Sequence, residues 1–375
     1  MVTGELNKGP EQLSEEVIGP GWCVACGACV ELCPYIKAAD DRVAVVQACS
    51  LESGNCYAVC PRTFTDYNDL AFKISSSEAA EMTPALGSFE EILQARSLLP
   101  EIRDKGQNGG VVSALMTAAL EEGLVDAALL TASDGFYPRY TLARSKMEVL
   151  AAAGSKYGVY PGLAGLNRSL AVASENVAVV GRPCQVVALR KLQHYSSVRG
   201  RENLALVLGL FCFWGLDYRF YEDLRKHYQV SRIGRCEIPK DRGLTLETDR
   251  GEIIFSLEET RAYVRRGCHS CADPTSELAD LSIGSTESDP AWCTLLVRTR
   301  TGLSLLQKAL SSKLIEVRSF PTEARKALEE AALDKKERVF KGRENDIPPV
   351  NNSYLKLTDQ YRVQLAEGGG GAADD

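Results

Sequence analysis

Cys23, Cys26, Cys29 and Cys33 stand in the spacing C-x2-C-x2-C-x3-C, with Pro34 immediately behind them. Three thiolates on one tight loop can hold three irons of a 4Fe–4S cube, and the fourth points into the next turn, toward a second cube. Gly27 lets the backbone curl without a Cβ in the way. Zinc usually takes two separated C-x2-C pairs. Disulfide frameworks belong to small secreted chains. Four cysteines and the trailing proline together favour iron–sulfur over both.

A second cysteine segment follows, with Cys49, Cys56, Cys60 and Pro61. Its end repeats the C-x3-C-P turn of the first, the internal duplication of a two-cluster ferredoxin. The first cluster is then expected on Cys23, Cys26, Cys29 and Cys60, and the second on Cys33, Cys49 and Cys56. The second is a ligand short, because Ser53 stands before Gly54 where the first copy has Cys26 before Gly27. Ser53, water or Glu52 could complete it; a three-iron cluster or an empty site are the other options.

No cysteine lies between Cys60 and Cys184. The elements that must position the later ones read as alternating strands and helices, an α/β pattern. Residues 176–180 form a strand, the GRPC turn follows, and residues 185–192 form a helix. Residues 125–131, 204–210, 281–284 and 292–297 read as further strands, and 303–310 as a helix. Cys184 and Cys212 then fall at carboxyl ends of strands, and Cys268 and Cys271 in a loop. Ligands gather at such ends in open α/β sheets, so these four could bind one more 4Fe–4S cluster. The alternatives are two core cysteines and a redox pair. Cys236 and Cys293 read as buried fillers.

Two turns suit an anionic group, Gln107-Asn108-Gly109-Gly110 and Gly154-Ser155-Lys156-Tyr157. Lys156 and Arg182 could neutralise a diphosphate; solvated surface charge is the plainer reading. Residues 89–98 read as helical within a linker, and 311–345 as a solvated charged helix carrying Lys335 and Lys336. The glycine-rich end reads as a disordered tail.

The net charge of −7 does not favour a nucleic-acid partner. No signal peptide and no bilayer-long apolar run is visible, so a cytoplasmic location without a direct membrane span is expected.

Six segments, in order, carry a resemblance: NGGVVSALMTAALEEGLVDAALL, GSKYGVYP, GRPCQVVALRKL, LVLGLFC, GCHSCADPTSELADLSIGS and WCTLLVRTRTG. Over residues 20–320 the chain resembles the beta subunit of coenzyme F420-reducing hydrogenase and F420-linked dehydrogenases. That family includes formate dehydrogenase beta subunits and hydroxymethyl chlorophyll a reductases. With these readings taken together, the chain is expected to be an α+β protein with a two-cluster ferredoxin-like module at 21–70, behind a flexible lead-in at 1–20. A linker at 71–105 and an α/β FAD-binding domain at 106–320 follow, then a charged helical extension and tail at 321–375. The resemblance implies an iron–sulfur flavoprotein with two to three 4Fe–4S clusters, passing electrons between a hydride carrier and a partner subunit. The carrier would be coenzyme F420, with a nicotinamide as the other option. The partner would be a hydrogenase, a formate dehydrogenase or a heterodisulfide-reductase-like subunit. Asn108, Gly109, Gly110 and Ser113 would lie at the flavin, and Ser155, Lys156 and Tyr157 would bind flavin or substrate. Cys184, Cys212, Cys268 and Cys271 would hold the proximal cluster. The flavin would do the chemistry, with no catalytic side chain. A self-sufficient reductase of an organic substrate, and a flavin-free electron-transfer subunit, are the competing readings.

Overall fold

The structure is a computed structural model that describes residues 6–75, 80–172, 175–239, 242–285, 289–341 and 355–356. An eight-stranded mixed sheet organises it. Its strands are β1 (Glu91–Ser97), β2 (Ala127–Ser133), β3 (Pro138–Ala143), β4 (Val177–Gly181), β5 (Leu204–Leu210), β6 (Leu281–Ser285), β7 (Cys293–Val297) and β8 (Ile315–Ser319). They lie in the order β8-β1-β7-β6-β5-β4-β2-β3. The central four, β6, β5, β4 and β2, are parallel. Antiparallel strands close both sides.

Parallel strands are covered on both faces and therefore read as continuous apolar runs. In β5, Leu206, Val207 and Leu208 are all buried. One face packs on α1 (Val111–Glu121) and α4 (Arg300–Ser311). The other packs on α2 (Ala164–Val172) and α3 (Pro183–Tyr195), in the same apolar cluster as Val24, Cys26, Ala28 and Val30. The cysteine-rich N-terminal residues thus share a core with the sheet. A three-stranded antiparallel sheet, built from Ile233–Glu237, Leu244–Thr248 and Gly251–Phe255, carries a separate aromatic cluster.

Three expectations need correction. Residues 89–98 are not helical: Glu91–Ser97 is strand β1, bonded to β7 on one side and β8 on the other. Its Glu, Leu, Gln and Arg are good helix formers, but pairing on both edges overrides that preference. The segment ahead of Cys23 is not loose. Pro10–Leu13 is a helical turn and Ser14–Ile18 a π turn, with Leu13 and Val17 buried; residues 1–5 lie outside the described residues.

The third correction concerns residues 311–345, which hold strand β8 before a 20-residue helix, α5 (Thr322–Lys341). α5 is not a solvated helix. Lys335 and Lys336 are 4% and 1% exposed. Lys336 pairs at 2.6 Å with Glu277, and its amine also reaches the Pro84 carbonyl. The glycine-rich tail lies outside the described residues.

Removing one partner of a buried ion pair strands the other charge, which costs about 3–5 kcal/mol. K336M should therefore lower unfolding stability by about that much in denaturant titration. A solvated helix would give a change within about 0.5 kcal/mol.

Candidate functional site

The parallel strands deliver their carboxyl ends to one edge of the sheet, and Cys184 and Cys212 lie just beyond two of them. β4 ends at Gly181, and α3 begins two residues later, with Pro183 and Cys184 in its first turn. β5 ends at Leu210; two residues on, the Cys212 N–H donates to the Pro274 carbonyl at 2.9 Å. Cys268 sits in the 3-10 turn Arg266–Ser270, and Cys271 follows it. Cys184 is therefore helical rather than in a turn.

Thirteen thiols are free. Three sets of them lie close enough to perturb one another electrostatically. Cys184 feels Cys268 and Cys271, and Cys212 feels Cys184 and Cys268. Cys23, Cys26, Cys29 and Cys60 line one apolar pocket with Leu13, Val17 and Val24. Cys56 neighbours Cys33 and Cys49. The sets are also linked in order: Cys29 feels Cys56, and Cys26 feels Cys184. Ser53 and Glu52 are exposed.

Among the described residues, no group of three or more His, Cys, Asp or Glu side chains is placed to hold a metal ion. A zinc ion would draw four sulfurs to about 2.3 Å of a single point, whereas a 4Fe–4S cube takes one thiolate at each iron.

The donors around the thiols suit a cluster. The Ala25 N–H donates to Cys23 Sγ at 3.4 Å, and the Arg62 N–H to Cys60 Sγ at 3.4 Å. The bond from Arg62 favours the Cys60 thiolate. Burial acts the other way. It pushes the Cys26 and Cys29 thiols well above their ordinary range, with nearby thiols adding to the effect. Burial also raises Cys60 and Cys184 to about 11, although Lys191 and Arg182 respectively pull them down. Cys212 rises to about 12 for the same reason, against Lys335. At Cys271 burial is outweighed by Lys335 and Arg62, and the thiol falls below its ordinary value. Burial therefore favours the protonated thiol at Cys26, Cys29, Cys60, Cys184 and Cys212.

Several residues that fix this arrangement carry no motif. Arg62, 8% exposed, donates to the Gly267 carbonyl at 2.8 Å and the Ser270 carbonyl at 3.2 Å. Arg265 donates to the Cys23 carbonyl and pairs with Asp41, both at 2.6 Å. Asn167 donates to the carbonyls of Ala28 and Val30. Gly27 has φ +88°, and a Cβ there would lie 2.4 Å from the Pro161 carbonyl oxygen. Its freedom is used to seat the cysteine loop against α2.

The two glycine turns come together. The Ser155 hydroxyl bonds the Gln107 side chain, and Gln107 also bonds the Tyr157 hydroxyl. Asn108, Gly109 and Gly110 all have positive φ and lead into α1, whose first turn has no side-chain cap. A helix start without a side-chain cap suits an anion, and Ser113 is buried in that turn. The Cys293 thiol donates to the Asn108 carbonyl, so this cysteine buttresses the turn. The turn at Gly154 does not start a helix. Lys156 there donates to the carbonyls of Ala152, Ala153 and Gly154 at the end of helix Lys146–Ala151. Arg182 faces thiols: burial alone would weaken its charge, but Cys184, Cys212, Cys268 and Cys26 strengthen it.

N167A should destabilise the docked cysteine loop by about 1–3 kcal/mol, because two buried carbonyls lose their donor. Urea unfolding reads this, and an unchanged midpoint would refute the docking role.

Residues 92–167 match the family model for the N-terminal part of the coenzyme F420 hydrogenase/dehydrogenase beta subunit, and residues 174–323 match that for its C terminus. The beta subunit of the coenzyme F420 hydrogenase of Methanosarcina barkeri is 33% identical over 63% of this chain and 84% of its own. One subunit of the F(420)H(2) dehydrogenase of Methanosarcina mazei is 27% identical over 76% of this chain and 82% of its own. A chain of the F420-reducing NiFe hydrogenase complex from Methanosarcina barkeri superposes with a TM-score of 0.64 at 29% identity, over 70% of this chain and 95% of that one. The chain belongs to the coenzyme F420 hydrogenase/dehydrogenase beta subunit family.

Proposed function

We propose that this chain is the electron-transfer subunit of an F420-linked oxidoreductase, exchanging electrons between coenzyme F420 and a partner subunit. The partner is of the hydrogenase, formate dehydrogenase or heterodisulfide-reductase-like kind. The observation that carries the reading is the linked order of the three thiol sets, from Cys33, Cys49 and Cys56, through Cys23, Cys26, Cys29 and Cys60, to Cys184, Cys212, Cys268 and Cys271. FAD, when bound, exchanges two electrons with a hydride carrier and single electrons with 4Fe–4S clusters.

The chain's own residues hold and insulate these groups. The second and third sets would each hold one 4Fe–4S cluster, each with four thiols. The first, with three thiols, would hold a cluster only with a ligand that is not cysteine. Leu13 and Val17 cover the middle set and keep water away from it. The uncapped start of α1, with Asn108, Gly109, Gly110 and Ser113, would bind the anionic part of the flavin. Gln107 ties that turn to Ser155 and Tyr157, which would line the flavin or substrate. Lys156 serves the turn's shape, since its amine is held by three carbonyls. Arg182 belongs with the third thiol set rather than with a diphosphate. Among the described residues, no helix is long and apolar enough to cross a membrane.

The C184A chain, loaded with iron and sulfide, should lose one cluster signal in electron paramagnetic resonance and about four irons. The signals of the N-terminal cysteines should remain. An unchanged signal count would contradict the assignment of the third set.

A further inference from the structure

Helix α5 enters the site from a part of the chain that carries none of its cysteines. Its Lys335 is 4% exposed, and its amine donates to the Cys212 carbonyl at 2.6 Å and the Asp273 carbonyl at 3.0 Å. These acceptors belong to two separate segments, one holding Cys212 and the other following Cys271 by two residues. A single ammonium thus clamps both. Near its start α5 pairs charges along its own surface, as in Arg325–Glu329 and Lys326–Glu330, and Arg325 also meets Glu81. The residue after Lys335, Lys336, meets a carboxylate. Both acceptors that hold the Lys335 amine are neutral. Burying an ammonium costs several kcal/mol, so the position calls for a compensating negative group. The thiols of Cys212 and Cys271 lie near enough to feel its charge.

We infer that Lys335 is a positioning residue for the third thiol set: it joins the segments bearing Cys212 and Cys271 and raises the reduction potential of an iron–sulfur cluster held there. The inference rests on reading Cys184, Cys212, Cys268 and Cys271 as ligands. One-electron reduction adds a negative charge to a cluster, and a fixed cation beside it favours that reduced form. A neutral residue at position 335 makes reduction harder. The full-length chain carries this effect in α5, so a truncation ahead of Thr322 removes it together with the helix.

The test is an anaerobic redox titration of the iron-loaded full-length chain, followed by electron paramagnetic resonance. The signal of the third set is the one that C184A removes. K335M should make that cluster at least tenfold harder to reduce, a fall of about 59 mV or more for one electron. K335R should restore the wild-type midpoint, because it returns the charge and the donors. If K335M fails to retain the cluster, K335R retaining it at the wild-type midpoint still supports the inference, and K335R losing it as well overturns it. An unchanged midpoint in an iron-replete K335M chain overturns the role of Lys335 while leaving the ligand assignment intact. A wild-type chain with no signal that C184A removes overturns the ligand assignment, and the inference with it.

Discussion

Everything proposed for this chain depends on the seating of an N-terminal cysteine loop against the carboxyl edge of the sheet. The energy of that contact is mostly apolar. Val24, Ala28 and Val30 are buried against α2 and α3, and a side chain the size of valine contributes about 1.5–3 kcal/mol when fully buried. The buried polar contacts have another role. The Arg265–Asp41 pair and the bonds from Arg62 to Gly267 and Ser270 add little net stability, since desolvation offsets most of the attraction. Misplacing the loop would strand those charges at a cost of several kcal/mol. The apolar surface holds the loop on, and the arginines decide its register. Register is what sets Cys26 beside Cys184.

Buried cations act on two of the three thiol sets. Arg62, Arg182 and Lys335 all act on the set at the strand ends. Lys191 and Arg62 act on the middle set at Cys60. Lys191 is fully buried, and its amine donates to the Cys60 carbonyl at 2.5 Å. Burial pulls that amine down to about 7, against the raising effect of nearby thiols. Thiolates bound to iron would strengthen the raising effect, so the buried cations and the sulfurs depend on one another.

The cysteine spacings, the GRPC turn and the glycine turn before α1 were legible in the sequence because each is local. Val177–Gly181, the turn and Pro183–Tyr195 follow from an apolar run, a proline at the helix start and a 3.6-residue period. What was illegible is nonlocal. Glu91–Ser97 has a helix former's composition, and only its two partner strands make it a strand. Lys335 sits in a charged run that reads as surface, and only the docking of α5 buries it. Arg62 sits directly behind the Cys60-Pro61 turn, yet its partners lie more than two hundred residues away. The meeting of the two glycine turns through Gln107 and Ser155 spans 48 residues and no pattern marks it.

The central claim is that this chain exchanges electrons with coenzyme F420 through a flavin. Its most direct test is to add reduced coenzyme F420 anaerobically to the purified, FAD- and iron-loaded chain, with NADH and NADPH in parallel, and follow the flavin absorption band. The account predicts that reduced F420 bleaches the band faster than either nicotinamide. A chain that binds no flavin, or whose flavin reduced F420 leaves oxidised, would contradict it.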